Sequence, residues 1–229
     1  MTVRTKTVTA RRLTAVAVAA LIAVAFATAA PLPPSSLPNA DSPEVERLVD
    51  MGAGCKIRLL DPFGGSAGSE LPGKGGYRAA PPAKSSQEAL GLSWDCVDSD
   101  DPRVGEFVSR DATTGTWRAD TAQILVPLGA GRPRWMRHWF AANYRVVTVK
   151  SVNAAGYAIV DRTQNEFSTV PAEGDKSAQR SGPILFNFCL VRAPKAICGG
   201  GQTGVKQDGP KGDLTPFALR LVRSIAFVD

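Results

Sequence analysis

Four cysteines limit the possible folds of this 229-residue chain more than any other feature. Their number is even, so every cysteine can enter a disulfide, and three pairings are possible. The stretch from Cys189 to Cys198 contains two short strand-like runs joined by an Ala-Pro turn at positions 193–194. A hairpin with that turn places the two cysteines opposite each other within bridging distance. We therefore predict two disulfides, Cys189–Cys198 and Cys55–Cys96.

Metal binding is the alternative use of these cysteines. A zinc site is disfavoured because no Cys-x-x-Cys spacing occurs and His138 is the only histidine. The acidic cluster at positions 95–101 offers carboxylates to calcium. Its ligand spacing is wrong, however, and Pro102 interrupts the run, which favours a solvated turn. We predict no metal and no cofactor.

The first 29 residues have the pattern of a secretory signal peptide. Four basic residues and no acid precede an apolar run over positions 13–27, and Ala-Thr-Ala at 27–29 is typical of a cleavage site. The apolar run is shorter than the roughly 20 residues that a bilayer requires, which favours cleavage after Ala29 over retention as an anchor. We predict a periplasmic or secreted protein of bacterial type, without stable membrane insertion after cleavage.

The net charge of the chain changes once the signal is removed. The full chain has 27 basic and 21 acidic residues, a formal charge of +6. The signal carries four of the basic residues, so 23 basic and 21 acidic residues remain and the charge falls to +2. A field this weak gives no long-range attraction for a polyanion. We predict no nucleic-acid partner.

The remaining chain divides into a Pro/Ser linker at 30–41 and one α+β domain at 42–229. Positions 42–44, Ser-Pro-Glu, are typical of a helix start and predict a short N-terminal helix that ends at Gly52. A second start at Thr215-Pro216 predicts a C-terminal helix. Between them we predict a Gly-rich surface loop at 63–82 and a curved antiparallel sheet, with strands at 56–60, 92–97, 104–110, 122–127, 144–150, 157–162 and 184–191.

Three glycine motifs resemble parts of known active sites. Residues 64–68 match Gly-x-Ser-x-Gly, with Ser66 as the candidate nucleophile and His138 as its base. Residues 68–74 resemble the opening of a phosphate-binding loop, and 199–204 match Gly-x-Gly-x-x-Gly. None has the strand-turn-helix context that its chemistry requires, so we interpret all three as loop glycines. We predict no catalytic residue, with a serine hydrolase using Ser66 as the weaker alternative.

One basic and aromatic segment is the candidate partner-binding surface. Trp135 and Trp139 are four positions apart and share a face in a helix, with Arg134 and Arg137 beside them. Aromatic and arginine side chains are enriched at protein interfaces. The alternative is core packing, in which the arginines extend to solvent. The same residues also suit a module that binds glycan or a membrane surface in the cell envelope.

The C-terminal part of the chain resembles a known family. The hairpin around Phe186–Gly199 brackets its turn with two cysteines, and the stretch Leu214–Phe227 closes the chain. Together they resemble the periplasmic immunity proteins that protect bacteria from lipase effectors of type VI secretion. The resemblance implies a non-enzymatic protein whose partner is a protein toxin and which occludes the active site of that toxin.

Overall fold

A computed structural model of the chain describes residues 44–52, 54–81, 85–120, 134–163 and 182–229. The predicted signal peptide at 1–29, the linker at 30–41 and the strand at 122–127 lie outside these residues. In chain order the elements are β1 (Val45–Asp50), β2 (Lys56–Asp61), β3 (Ser66–Leu71), β4 (Lys74–Ala79), β5 (Leu90–Asp98), β6 (Val108–Arg110), β7 (Trp117–Ala119), α1 (Arg134–Asn143), β8 (Tyr144–Lys150), β9 (Ala155–Asp161), β10 (Pro183–Arg192), β11 (Lys195–Val205), α2 (Thr215–Ser224) and β12 (Ala226–Val228).

Two antiparallel sheets form most of the described structure. The larger has seven strands in the order β3-β4-β5-β11-β10-β9-β8, and the smaller has three in the order β1-β2-β12. Side chains from both sheets and from α2 join in one hydrophobic cluster, so the small sheet and α2 cover one face of the large sheet. Burial of each large apolar side chain there is worth about 1.5–3 kcal/mol. The largest fully buried side chains include Ile57, Leu59, Phe186, Phe188, Leu190, Leu221 and Ile225.

The opposite face of the large sheet, here called the outer face, carries the alternate residues of the same strands. A smaller hydrophobic cluster occupies part of it and includes Tyr157 and Cys189. The segment 99–120, with its β6–β7 hairpin, packs there, and the backbone N–H of Trp117 donates to Thr148 Oγ1 at 3.1 Å. Among the described residues, the remainder of the outer face lines a cavity.

The two predicted disulfides are confirmed. Cys55 pairs with Cys96 and Cys189 pairs with Cys198, and no described cysteine is free. Cys189 and Cys198 are directly opposite in the β10–β11 hairpin, with Arg192 opposite Lys195 at its turn. This is the hairpin register that the sequence predicts. Disulfides are typical of proteins that fold outside the cytoplasm.

The predicted N-terminal helix is wrong, because residues 45–50 form strand β1. Val49 is buried, while Leu48 is 56% exposed. Arg47 points inward and donates to the buried carboxylate of Asp61 at 3.3 Å. The inward residues are thus two apart, as in a strand. Pairing of β1 with β2 along six residues overrides the local helix-start signal.

The predicted surface loop at 63–82 is also wrong, because it contains the β3–β4 hairpin. Tyr77 is buried, with only 3% of its surface exposed, and it belongs to the main core. One glycine there, Gly75, is required by close packing, because a Cβ at this position would lie 2.3 Å from Trp94 Nε1. A glycine that suggested a loop thus allows close contact between a strand and a tryptophan ring.

Smaller differences concern element ends. The predicted strand 104–110 is reduced to Val108–Arg110, with turns before it. At the C-terminus a helix covers Thr215–Ser224. Thr215 is its first residue rather than its cap, and the Thr215 N–H donates to Asp213 Oδ1 at 2.9 Å.

Candidate functional site

A cavity of about 870 Å³ opens on the outer face of the large sheet. Its volume lies within the range of about 300–1,000 Å³ that is usual for ligand pockets. The strand register aligns Ser93, Gly200, Asn187 and Ile159 side by side across four strands. Ser93 has a small side chain and Gly200 has none, so these residues form a low cavity floor. Residues at neighbouring positions of the strands and in the loops form the cavity walls.

Gly200 sets the depth of the floor. A Cβ at this position would lie 2.2 Å from the carbonyl oxygen of Phe186 and 2.5 Å from Asn187 Oδ1. Because a backbone atom is one of the obstacles, any side chain at position 200 would force the two strands apart. Glycine therefore keeps the floor flat beside Asn187, whose amide is exposed to the cavity.

One end of the cavity, here called the charged end, is formed by Lys74, Asp95 and Arg103. Arg103 binds Asp95 at 3.2 Å and Asp101 at 2.9 Å, and Lys74 lies 3.8 Å from Asp95. Hydrogen bonds from Arg103 lower the pKa of Asp101 to about 2. Both cations of this end thus already have carboxylate partners.

Carboxylates of the acidic cluster at 95–101 take part in ion pairs. Asp98 pairs with Lys195 at 2.8 Å, and Asp95 and Asp101 pair with Arg103. Within the described ranges, no group of three or more potential ligands is arranged to hold a metal ion. These carboxylates fix the turn after β5 through ion pairs.

The other end, here called the aromatic end, is lined by Phe140, Tyr144 and Tyr157. Tyr144 on β8 is directly opposite Asp161 on β9, and Glu106 reaches the same space from the loop above. Burial raises the pKa of Tyr144, and the negative charges of Asp161 and Glu106 raise it further. Carboxylates therefore approach the tyrosines from two directions.

Phe107 stands at the rim of the cavity in an unusual backbone conformation. Its φ is +65°, in the left-handed region that side-chain-bearing residues rarely adopt. The Phe107 carbonyl accepts a hydrogen bond from Asp120 N–H at 2.9 Å, which holds the turn in place. The side chain is 37% exposed. Such conformations cost about 1–3 kcal/mol and are concentrated at functional sites.

The predicted partner-binding segment lies on α1, beside this end of the cavity. The side chains of Arg134, Trp135 and Arg137 lie outside the described part. Trp139 is half-buried, and its ring meets Phe140 edge-to-face at 5.2 Å. Of this segment, the structure brings Phe140 into the lining of the cavity, while His138 is exposed.

The glycine motifs lack the context that catalysis requires. Ser66 begins β3 opposite Arg78, and the chain continues as a strand to Leu71 and returns in β4. No helix follows the serine, whereas a nucleophile elbow needs one. Residues 199–204 lie within β11. Our interpretation of these glycines as loop residues is wrong for Gly68 and for residues 199–204, which lie in paired strands, whereas Gly64 and Gly65 lie outside the strands, just before β3.

The sequence did not predict the cavity, because its lining comes from strands and loops that are far apart along the chain. The nearest signal is Asn187, a polar residue between Phe186 and Phe188. Alternation of this kind indicates that position 187 faces away from the core. It does not show which side chains surround the asparagine.

Comparison with known proteins adds no assignment: no family model, no curated protein and no solved structure matches this chain. No helix among the described residues is long and apolar enough to cross a lipid bilayer.

Proposed function

We propose that the chain is an exported, non-catalytic binding protein whose ligand site is the outer-face cavity. The observation that carries this proposal is the cavity of about 870 Å³ with its glycine-lowered floor and exposed Asn187. Export to the periplasm or to the medium is supported by the signal-like residues 1–29 and by the two disulfides.

A protein is the partner that we favour, and specifically a toxic lipase effector. The C-terminal resemblance to immunity proteins supports this choice. The cavity suits one or two protruding side chains of such a partner. The predicted contact residues Arg134, Trp135, Arg137 and Trp139 lie on α1, whose Phe140 lines the cavity. Their aromatic and basic character fits the periphery of a protein interface.

A glycan-binding module of the cell envelope is the second candidate. The observation in its favour is the mixed lining of the cavity, in which the Asn187 amide and the Ser93 hydroxyl lie near aromatic rings. Amides and hydroxyls can bond sugar hydroxyls, and rings can pack on apolar sugar faces. A serine hydrolase is not proposed, since Ser66 lies on a strand without a following helix.

The proposal predicts a lipase gene beside the gene of this chain, and the test titrates that secreted lipase with the purified mature protein. The proposal predicts complete loss of lipase activity near one equivalent. Ser93→Trp places a ring on the cavity floor and should abolish the inhibition. Glu46→Trp, which adds the same ring to an exposed position of β1, should inhibit like the wild type.

Two results would overturn the proposal. Equal inhibition by Ser93→Trp would show that the cavity is not the binding site, and absence of inhibition by the wild type would exclude the immunity role. Labelling of the chain by a fluorophosphonate, lost in Ser66→Ala, would contradict a non-catalytic role. A glycan array probed with the wild type and Ser93→Trp separates the second candidate from the first.

A further inference from the structure

The charges that line the cavity are unequally distributed between its two ends. At the charged end, Lys74 and Arg103 are matched by Asp95 and Asp101 at 2.9–3.8 Å. At the aromatic end, Glu106 and Asp161 form no salt bridge with any described residue. The carboxylates of the described lining that lack a salt-bridge partner therefore lie at the aromatic end, where the Lys206 ammonium interacts with Asp161 only through the longer-range attraction of opposite charges.

Hydrogen bonds hold Asp161 in position without neutralising it. Its Oδ1 accepts from the Thr163 backbone N–H at 2.7 Å and from Thr163 Oγ1 at 2.6 Å. Both donors are neutral groups and place no positive charge beside the carboxylate. Glu106 is exposed and extends from the loop on the other side of the cavity. A ligand at this end meets carboxylates on two sides.

Aromatic rings occupy the space between these carboxylates. Phe140 comes from α1, Tyr144 from β8 and Tyr157 from β9. The Tyr157 ring is fixed from behind by Trp117, with centroids 4.9 Å apart, and its hydroxyl accepts from Gly105 N–H at 3.2 Å. The ring faces carry negative potential and attract cations within about 6 Å of the centroid.

We propose that the aromatic end of the cavity binds an organic cation, an ammonium or guanidinium group held by the rings of Phe140, Tyr144 and Tyr157 and by Glu106 and Asp161. The inference rests on the proposed function and names the chemistry of the group that enters the site. Such a group can belong to a small amine or to a lysine or arginine side chain of the protein partner. An anion or a neutral apolar group gains nothing from the carboxylates.

The test measures binding of defined probes to the mature protein by NMR titration. Choline and its uncharged isostere 3,3-dimethyl-1-butanol compare a cation with a neutral group of the same shape. Nα-acetyl-lysine amide and Nα-acetyl-arginine amide represent side chains of a protein partner. We expect choline to bind about tenfold more tightly than the alcohol. Tighter binding of an amino-acid amide than of choline would indicate a protein source.

Three variants locate the binding. Glu106→Gln removes an exposed charge, and Phe140→Leu removes a ring; each should weaken cation binding by about threefold or more. Glu46→Gln removes another exposed carboxylate, which lies on β1 outside the cavity, and should leave the affinity unchanged. Folding of each variant is checked by its thermal transition.

The outcomes separate this inference from the proposed function. Equal affinity for choline and the alcohol, no binding of any cation, or equal weakening by Glu46→Gln would overturn the cation site. The binding function stands in those cases if Ser93→Trp still abolishes inhibition of the lipase. If Ser93→Trp inhibits like the wild type while choline binding depends on Glu106 and Phe140, the cavity binds a cation but is not the toxin site.

Discussion

Asp61 shows how a single buried carboxylate organises one corner of the fold. It is only 1% exposed, yet both of its oxygens have partners. Tyr77 Oη and Phe63 N–H donate to Oδ1 at 2.6 and 3.0 Å, and Arg47 donates to Oδ2 at 3.3 Å. Burial alone would raise the pKa of Asp61, but these hydrogen bonds outweigh burial and hold it below the ordinary 3.8.

Asp61→Asn should therefore destabilise the protein at neutral pH by about 2 kcal/mol, because hydrogen bonds to a charged acceptor are lost. Since the folded pKa is lowered, the stabilisation by Asp61 is present above pH 3.8 and is lost as the pH falls through the folded value. Denaturant titrations at pH 7 and pH 3 should show a smaller difference between variant and wild type at the lower pH. A pH-independent difference would contradict this account. Asp98→Asn, at a 67% exposed carboxylate, is the control with little effect.

Phe107 offers a second prediction at the scale of one residue. Replacement by alanine or by glycine removes the same ring from the rim of the cavity. Only glycine relieves the backbone at φ +65°, so Phe107→Gly should be more stable than Phe107→Ala by about 1 kcal/mol. Thermal unfolding of the two variants checks this. Equal stability, or greater stability of the alanine variant, would show that the turn is not strained.

At the scale of elements, the two disulfides stabilise unequal lengths of chain. Cys55–Cys96 closes a separation of 41 residues and joins the segment between β1 and β2 to β5, whereas Cys189–Cys198 closes 9 residues within one hairpin. The chain-entropy relation gives about 3.9 and 2.7 kcal/mol for loops of these lengths.

Replacing the first pair by serine should thus lower the free energy of unfolding more than replacing the second. Chemical denaturation of the two double variants measures the difference. A larger loss from the Cys189/Cys198 pair would contradict the argument from loop length.

Elements whose conformation is fixed by residues close together in the sequence were predictable, whereas elements fixed by contacts with distant residues were not. The β10–β11 hairpin was accessible because its turn, its strand residues and its cysteines all agree on one register. Strand β1 was not, since Pro43 and the spacing of Val45, Leu48 and Val49 fit a helix locally, and only pairing with β2 decides otherwise. The β3–β4 hairpin was hidden by its glycines, one of which, Gly75, is required by the Trp94 ring.

At the scale of the whole molecule, the cavity depends on six strands, α1 and two connecting segments that meet only in the folded state. The aromatic segment of α1, at the border of the cavity, could be identified from the sequence because the spacing of residues along one helix is visible there. It did not reach Asn187, Gly200 or Ser93, because their alignment results from the order β5-β11-β10 in the sheet. Strand order of this kind is not specified by any local pattern.

The central claim, that the outer-face cavity is the binding site, is tested most directly by mapping amide chemical shifts of the ¹⁵N-labelled mature protein with its partner lipase. The account predicts the largest changes at Gly200, at Glu106 and at the backbone and side-chain amides of Asn187. Changes confined to the exposed surface of β1 and β2, with Asn187 and Gly200 unaffected, would contradict it.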